Sequence, residues 1–289
     1  PPRSTLFPYT PLFRSSILFA AALADNIVDY TYWKREARSS RIQPDADKGK
    51  HYEDGTSHWY AGGEEGIVRQ SVTGRMTYKP QGPLVNIPYR LSYAGGRLFV
   101  LQGGRWAVQY MNPGIVMIYD GNQWFNIPEN SIDGKFDSRA LDFMNVAVDP
   151  QDNKHFFVTS YGTGLYEFAG DTLLRRYLPG PDNTIESAAT SWVQYYTRLD
   201  YAQYDAQGNL WMENAGDVNY PIVCMDNQGE WHGLPLSFEG MNLLLETPTG
   251  LILDNRNPNY KWFAAGRAPA GLYLLDESKI GRASCRERV

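Results

Sequence analysis

Cysteine, positive charge and helical periodicity are all scarce in this sequence, and each shortage closes off a class of protein. Two cysteines in 289 residues, Cys224 and Cys285, cannot build a disulfide framework or a cysteine-rich metal site. Lys and Arg number 27 against 32 Asp and Glu, a net charge of −5. That leaves no basic surplus with which to hold a nucleic-acid backbone. The apolar stretch Ile17–Ala24 is far shorter than a membrane-spanning helix requires. Nowhere do apolar residues keep a 3.6-residue period for more than a few positions, which argues against a helical core. Catalytic and metal-binding patterns are missing as well. Thr163 stands between Gly162 and Gly164, where a nucleophile elbow would need serine. His51, His58, His155 and His232 fall in no metal-ligand spacing. Asp45-Ala-Asp47-Lys-Gly49 has no downstream bidentate Glu for a calcium loop. Gly62-Gly63-Glu-Glu-Gly66 runs into a strand pattern, without the helix that makes a phosphate loop work. These shortages predict a chain that is not an enzyme and carries no metal and no cofactor.

What the chain has is a repeat. A Gly, once a Pro, followed by Ile or Leu opens a short apolar segment at Gly66, Gly114, Gly164, Pro221 and Gly271, at spacings of 48, 50, 57 and 50 residues. An aromatic precedes each opener: Trp59, Trp106, Phe156-Phe157, Trp211 and Trp262. Met76, Trp124, Leu174 and Trp231 follow at a fixed distance. A period near 50 residues, rich in short aromatic strands and Asp/Asn/Gly turns, predicts an all-β protein, a β-propeller fragment of about five four-stranded blades. The opener starts the third strand of each blade, and the preceding aromatic lies on the second. The charged run Lys34–Asp54 breaks the pattern in the first blade and is expected to be an exposed loop.

The two ends do not share this design. Residues 5–15 back-translate, with one mismatch at Pro11, to a common sequencing-adapter strand, and 280–289 to its reverse complement. Residues 1–15 and 279–289 are therefore taken as adapter-derived tails, not native, and 16–278 as the propeller fragment. The tails hold six cations and one acid, so the core between them carries −10. Ile17–Ala24 is either the end of a secretory signal, with Ala22-Leu23-Ala24 as cleavage signature, or a strand of a preceding blade.

Asp205-Ala-Gln-Gly-Asn-Leu-Trp211 resembles the D-x-x-G-N-L-W turn of the two-component-regulator propeller repeat. Tyr161-Gly-Thr-Gly-Leu-Tyr-Glu-Phe168 resembles the G-G-L-Y strand of the same repeat. Arg105-Trp106, Pro113–Gly121 and Trp124 are similar to the corresponding part of the PorZ branch of type IX secretion propellers. This resemblance covers most of 56–278. It implies a non-enzymatic binding or scaffold propeller in the periplasm or on the outer cell surface. Its implied partners are other envelope or secretion-system proteins and an anionic glycan or lipopolysaccharide, with no nucleic acid. Two other functions fit the same repeat. One is the extracytoplasmic oligosaccharide sensor of a hybrid two-component regulator. The other is a glycan-active enzyme, which would need carboxylates such as Asp142, Asp200 and Glu246 to converge.

Candidate ligand-binding residues follow from phase. Trp residues that recur with the blade are packing residues. Trp33 and Trp192 fall outside the phase, in long stretches between blades, and are the better candidates for a ligand. Arg90, Arg139 and Arg198 each stand at the start of an innermost strand, where three guanidinium groups could gather around an anion. Their structural alternative is pairing with Asp142, Asp200 or carbonyls of a neighbouring blade.

Overall fold

The computed structural model describes residues 17–24, 27–34, 39–42, 51–61, 66–78, 81–85, 87–105, 109–133, 135–136, 138–216, 218–238, 241–242, 248–265, 270–279 and 287–288. They fall in two compact units, 1–81 and 82–289. The first unit holds a three-stranded antiparallel sheet, Ile17–Ala24, Ile27–Lys34 and Ser39–Ile42. It also holds a four-stranded antiparallel sheet, His51–Glu53, Ser57–Ala61, Ile67–Ser71 and Gly74–Tyr78.

The second unit contains three further sheets of the four-stranded kind. One runs Arg90–Ala94, Arg97–Leu101, Val116–Tyr119, Trp124–Ile127. The next runs Phe143–Val148, His155–Gly162, Gly164–Ala169, Thr172–Tyr177, and the third Thr197–Tyr204, Leu210–Ala215, Ile222–Met225, Trp231–Leu234. Pro248–Leu253, Tyr260–Ala265 and Gly271–Asp276 form a three-stranded sheet. In every four-stranded sheet the strands lie in sequence order. First strands of successive sheets in this unit pack side by side.

Strand residues point alternately to opposite faces, and here both faces are covered. Phe156 and Val158 join Phe99, Leu101, Val116 and Ile118 in a core between the 90–127 and 143–177 sheets. Their neighbour Phe157 joins Leu199, Leu210, Met212 and Val223 on the other side. The 197–234 sheet repeats the arrangement: Leu210 and Met212 face back, and Trp211 faces forward to Leu251, Phe263 and Tyr273. Sheets buried on both faces read as continuous apolar runs rather than alternating ones. That accounts for a segment such as His155-Phe-Phe-Val158. The opener glycine has a steric reason at Gly164. Its φ is +89°, and an added Cβ would lie 2.2 Å from the Tyr177 carbonyl oxygen on the outermost strand.

One side-chain device recurs at the turn between first and second strands. Asp205 Oδ1 accepts the backbone N–H groups of Gln207 and Asn209, both at 2.9 Å, and its Oδ2 accepts the Trp211 indole N–H at 2.8 Å. Asp54 does the same for Thr56, Ser57 and Trp59, and Asp254 for Arg256, Asn257 and Trp262. In the 143–177 sheet a histidine stands in for the tryptophan, with His155 Nδ1 3.0 Å from Asp149 Oδ2. The carboxylate replaces backbone partners that a tight turn cannot supply. Accepting these bonds holds Asp54 and Asp254 below the usual carboxylate range.

Two expectations are corrected. The run Lys34–Asp54 is not a loop throughout, because Ser39–Ile42 and His51–Glu53 are paired strands. Trp33 does not lie between blades: it sits inside the strand Ile27–Lys34, opposite Leu18 and Ser39. Among the described residues the last sheet has three strands, without a fourth after Gly271–Asp276. Of the tails, Glu287 and Arg288 pair in parallel with Leu236 and Ser237, and residues 1–16 lie outside the described residues. Ile17–Ala24 is a strand, paired with Ile27–Lys34. Trp106 also lies outside the described residues, and Phe99 is the aromatic on its sheet's second strand.

Candidate functional site

In the second unit the starts of first and third strands, and the ends of second strands, gather at one end of each sheet. There the second strand of one sheet reaches the first strand of the next, through Tyr161 opposite Arg198 and Gly162 opposite Thr197. A charged cluster is buried just beneath. Asp200, on the first strand, is fully buried and pairs with Arg105 and with Arg90, whose Nη1 lies 3.4 Å from Asp200 Oδ1. Both arginines come from the 90–127 sheet, so the pair skips the sheet between. Arg90 also lies 4.3 Å over the Tyr201 ring, and Arg105 5.2 Å over Tyr161. Glu213 stands directly opposite Asp200 on the second strand. It is fully buried, and neither carboxylate oxygen has a hydrogen-bond partner among the described residues. Burial pushes its pKa well above the ordinary value and Asp200 adds to the rise, while Arg105 and Arg90 oppose it. Burial likewise raises Asp200 against the pull of the two arginines. An ionised Glu213 would face a large desolvation cost, so burial favours its protonated form beside the Arg90–Asp200–Arg105 cluster.

Above this cluster lies a more accessible surface. The half-buried Arg198 guanidinium sits 5.3 Å from the Tyr161 ring and 5.6 Å from the Tyr196 ring. Among the described residues its side chain has no carboxylate partner and donates no hydrogen bond. Tyr110 stacks on Tyr161 at 6.3 Å. Trp192 is 67 % exposed, Met111 59 %, Tyr196 40 % and Tyr110 39 %. Trp192 and Met111 both have left-handed backbones, φ 59° and 71°. Bulky residues rarely adopt that conformation, and each such site stores about 1–3 kcal/mol of strain. Asp142, itself at φ 49°, holds the Met111 turn by accepting the N–H groups of Met111 and Asn112 at 3.0 and 2.9 Å. Trp192 precedes the short helix Val193–Tyr196. The strained positions thus present exposed apolar side chains on two connections that flank Arg198.

Of the sequence candidates, Arg90 and Arg198 come to this region. Arg90 is committed to Asp200, and Arg198 is turned to the surface. Arg139 is not brought to the cluster, since its guanidinium is held by Glu129, with Nε 2.8 Å from Oε1. Asp142 pairs with backbone rather than with any arginine, because the turn it caps offers two N–H groups first. Trp192 lies between sheets as expected, and Trp33 belongs to the other unit. Glu246 lies outside the described residues. Sequence reasoning passed over Arg105 and Glu213 as site residues. A glutamate on a second strand, inside the apolar run Leu210–Ala215, is the signal that could have found the second. No group of three or more His, Cys, Asp or Glu side chains is placed to hold a metal among the described residues.

No protein-family model matches the sequence, and no curated protein matches it significantly. Solved structures do. The chain superposes on PorZ, described as an essential bacterial surface component of the type IX secretion system of Porphyromonas gingivalis. The TM-score is 0.63 at 21 % identity, over 90 % of this chain and 35 % of that one. The fold is a β-propeller. The chain spans about a third of the length of PorZ. Two weaker likenesses are the extracellular domain of a hybrid two-component system of B. thetaiotaomicron (TM-score 0.42, 11 % identity, 88 % of this chain and 32 % of that one) and virginiamycin B lyase of Staphylococcus aureus (TM-score 0.42, 8 % identity, 93 % and 86 %).

Proposed function

We propose that this propeller is a non-enzymatic binding module of a bacterial cell envelope, working in the periplasm or on the outer surface. Its ligand is an acidic glycan, of the lipopolysaccharide kind, that docks at Arg198. Envelope or secretion-system proteins are its partners, as the likeness to the PorZ branch suggests. The observation that carries the reading is Arg198: a guanidinium between two tyrosine rings, with donors unspent among the described residues and exposed aromatics around it. A planar cation offers two parallel N–H bonds to a carboxylate or phosphate, and flat rings nearby supply area for a sugar. The candidate carboxylates support a non-catalytic reading. Asp142 caps a turn, Asp200 is locked between Arg90 and Arg105, and Glu213 is sealed from solvent.

Titration of the full chain with acidic and neutral oligosaccharides of equal length tests this. Acidic oligosaccharide should bind and quench Trp192 fluorescence. Arg198→Gln should weaken binding by about tenfold or more, in keeping with loss of a charged hydrogen bond. Equal affinity for the neutral oligosaccharide, or unchanged binding by Arg198→Gln, would sink the reading.

A further inference from the structure

A second recess in the same unit is lined by none of the residues around Arg198, although its Gln194 shares the short helix Val193–Tyr196 with Tyr196. It is a cavity of about 450 Å³ lined by Lys135, Phe136, Ser138, Arg176, Leu178 and Gln194. Its described lining residues include two cations and no carboxylate. Arg176 is fixed in place: Nε donates to the Thr163 carbonyl at 2.7 Å, Nη1 to Ser138 Oγ at 2.6 Å and Nη2 to the Gln194 carbonyl at 2.9 Å. Its guanidinium lies 5.4 Å from both the Phe136 and the Tyr166 rings. Lys135 Nζ donates to the Leu173 carbonyl at 3.2 Å. An ammonium has three donors, so two remain. Ser138 is 8 % exposed and accepts from Arg176. Its own O–H donates to nothing among the described residues, and neither does the Gln194 side-chain amide. The Lys135, Ser138 and Gln194 donors thus line one recess beside the Arg176 guanidinium. A buried hydroxyl with no acceptor is costly to keep.

We propose that this cavity binds a carboxylate carried on an apolar group, either the C-terminus of a polypeptide or a free organic acid. A carboxylate only accepts hydrogen bonds, which matches Lys135, Ser138 and Gln194. The ligand brings an apolar part because Phe136 and Leu178 make up much of the remaining wall. Stacking of a sugar is disfavoured here, since the Phe136 face is taken by Arg176. No backbone nest of positive-φ residues is found among the described lining, and dianionic phosphate commonly uses one. The proposal does not depend on the Arg198 reading, because the two sites share no residue.

The test is calorimetric titration of the full chain with N-acetylleucine and with its amide, which lacks the charge. The carboxylate is expected to bind at least tenfold more tightly than the amide. Lys135→Gln and Ser138→Ala should each weaken it by about fivefold or more while circular dichroism stays unchanged. Arg198→Gln should leave it intact. A leucine-terminated tetrapeptide that binds more tightly than N-acetylleucine assigns a polypeptide end; equal affinity assigns a free acid. The proposal fails if acid and amide bind alike or not at all. It also fails if inorganic phosphate or an acidic sugar competes while N-acetylleucine does not, or if both variants bind normally.

Discussion

Replacing Trp211 tests how the repeat's aromatic holds two sheets together. The side chain is 5 % exposed and packs with Leu251, Phe263 and Tyr273 of the following sheet. Its indole N–H donates to Asp205 at 2.8 Å. Lys261, itself 1 % exposed, holds its ammonium 4.5 Å from the ring centroid. Trp211→Ala empties a core aromatic, which costs about 3–5 kcal/mol. It also strips a buried ammonium of its ring, worth about 2 kcal/mol when desolvated. The loss should therefore reach the top of that range, a large share of a domain's whole stability. Trp211→Phe keeps most of the apolar volume and deletes the donor, so it should cost about 1.5–3 kcal/mol, the worth of a hydrogen bond to a charged group. Asp205→Asn should cost less in the Trp211→Phe background than alone, since the shared bond is already gone. Trp192→Ala, at an exposed site, should cost under about 1 kcal/mol. Urea unfolding followed by circular dichroism reads all four. Strict additivity of Trp211→Phe and Asp205→Asn, or equal losses at 192 and 211, would refute the staple.

Three more perturbations probe the buried charges. Burial raises the Glu213 pKa in the fold, so the folded chain holds this proton to higher pH than the unfolded chain, which releases it near pH ~4.3. The group therefore lowers stability progressively as pH rises past that value. Glu213→Gln should flatten that decline, and parallel urea midpoints for both proteins from pH 5 to 9 would show the reasoning wrong. His155 lies between Asp149 and Glu167, and although burial lowers its pKa the two partners raise it on balance. Its contribution should be full below pH ~6.5 and fade as pH rises through the folded value; a His155→Gln variant with the same pH slope as the parent would contradict this. Asp200→Asn leaves Arg90 and Arg105 without their counter-ion and should cost about 3–5 kcal/mol, with a loss under 1 kcal/mol counting against the triad.

The architecture was legible because a repeat constrains it many times over. Each Asp–aromatic turn and each opener is a local feature whose cause lies within a few residues. Asp205-Ala-Gln-Gly-Asn-Leu-Trp211 announces a hairpin because one carboxylate can cap the turn and hold the indole at once. Where that logic is diluted the reading erred. Lys34–Asp54 is polar enough to pass for a loop, yet Ser39–Ile42 and His51–Glu53 pair with neighbouring strands. Backbone hydrogen bonding there overrides weak propensity. Trp33 reads as lying between blades for the same reason, since no repeat phase covers the strand it occupies.

The candidate site was only half legible, and the missing half has a physical cause. Phase places Arg90 and Arg198 at equivalent strand starts, but it cannot say what each side chain finds there. Arg90 finds Asp200, two sheets away, and Arg105 reaches the same carboxylate across 95 residues of sequence. Such a pairing depends on the first strands of three successive sheets packing together, a property of the assembled fold rather than of any window of sequence. Asp200 is paired with two arginines, while Glu213 opposite it has no hydrogen-bond partner among the described residues, and burial raises its pKa. Arg198, two residues earlier on the same strand, lies against the Tyr161 and Tyr196 rings. One strand, Thr197–Tyr204, thus carries both an arginine turned to the surface and an aspartate sealed inside.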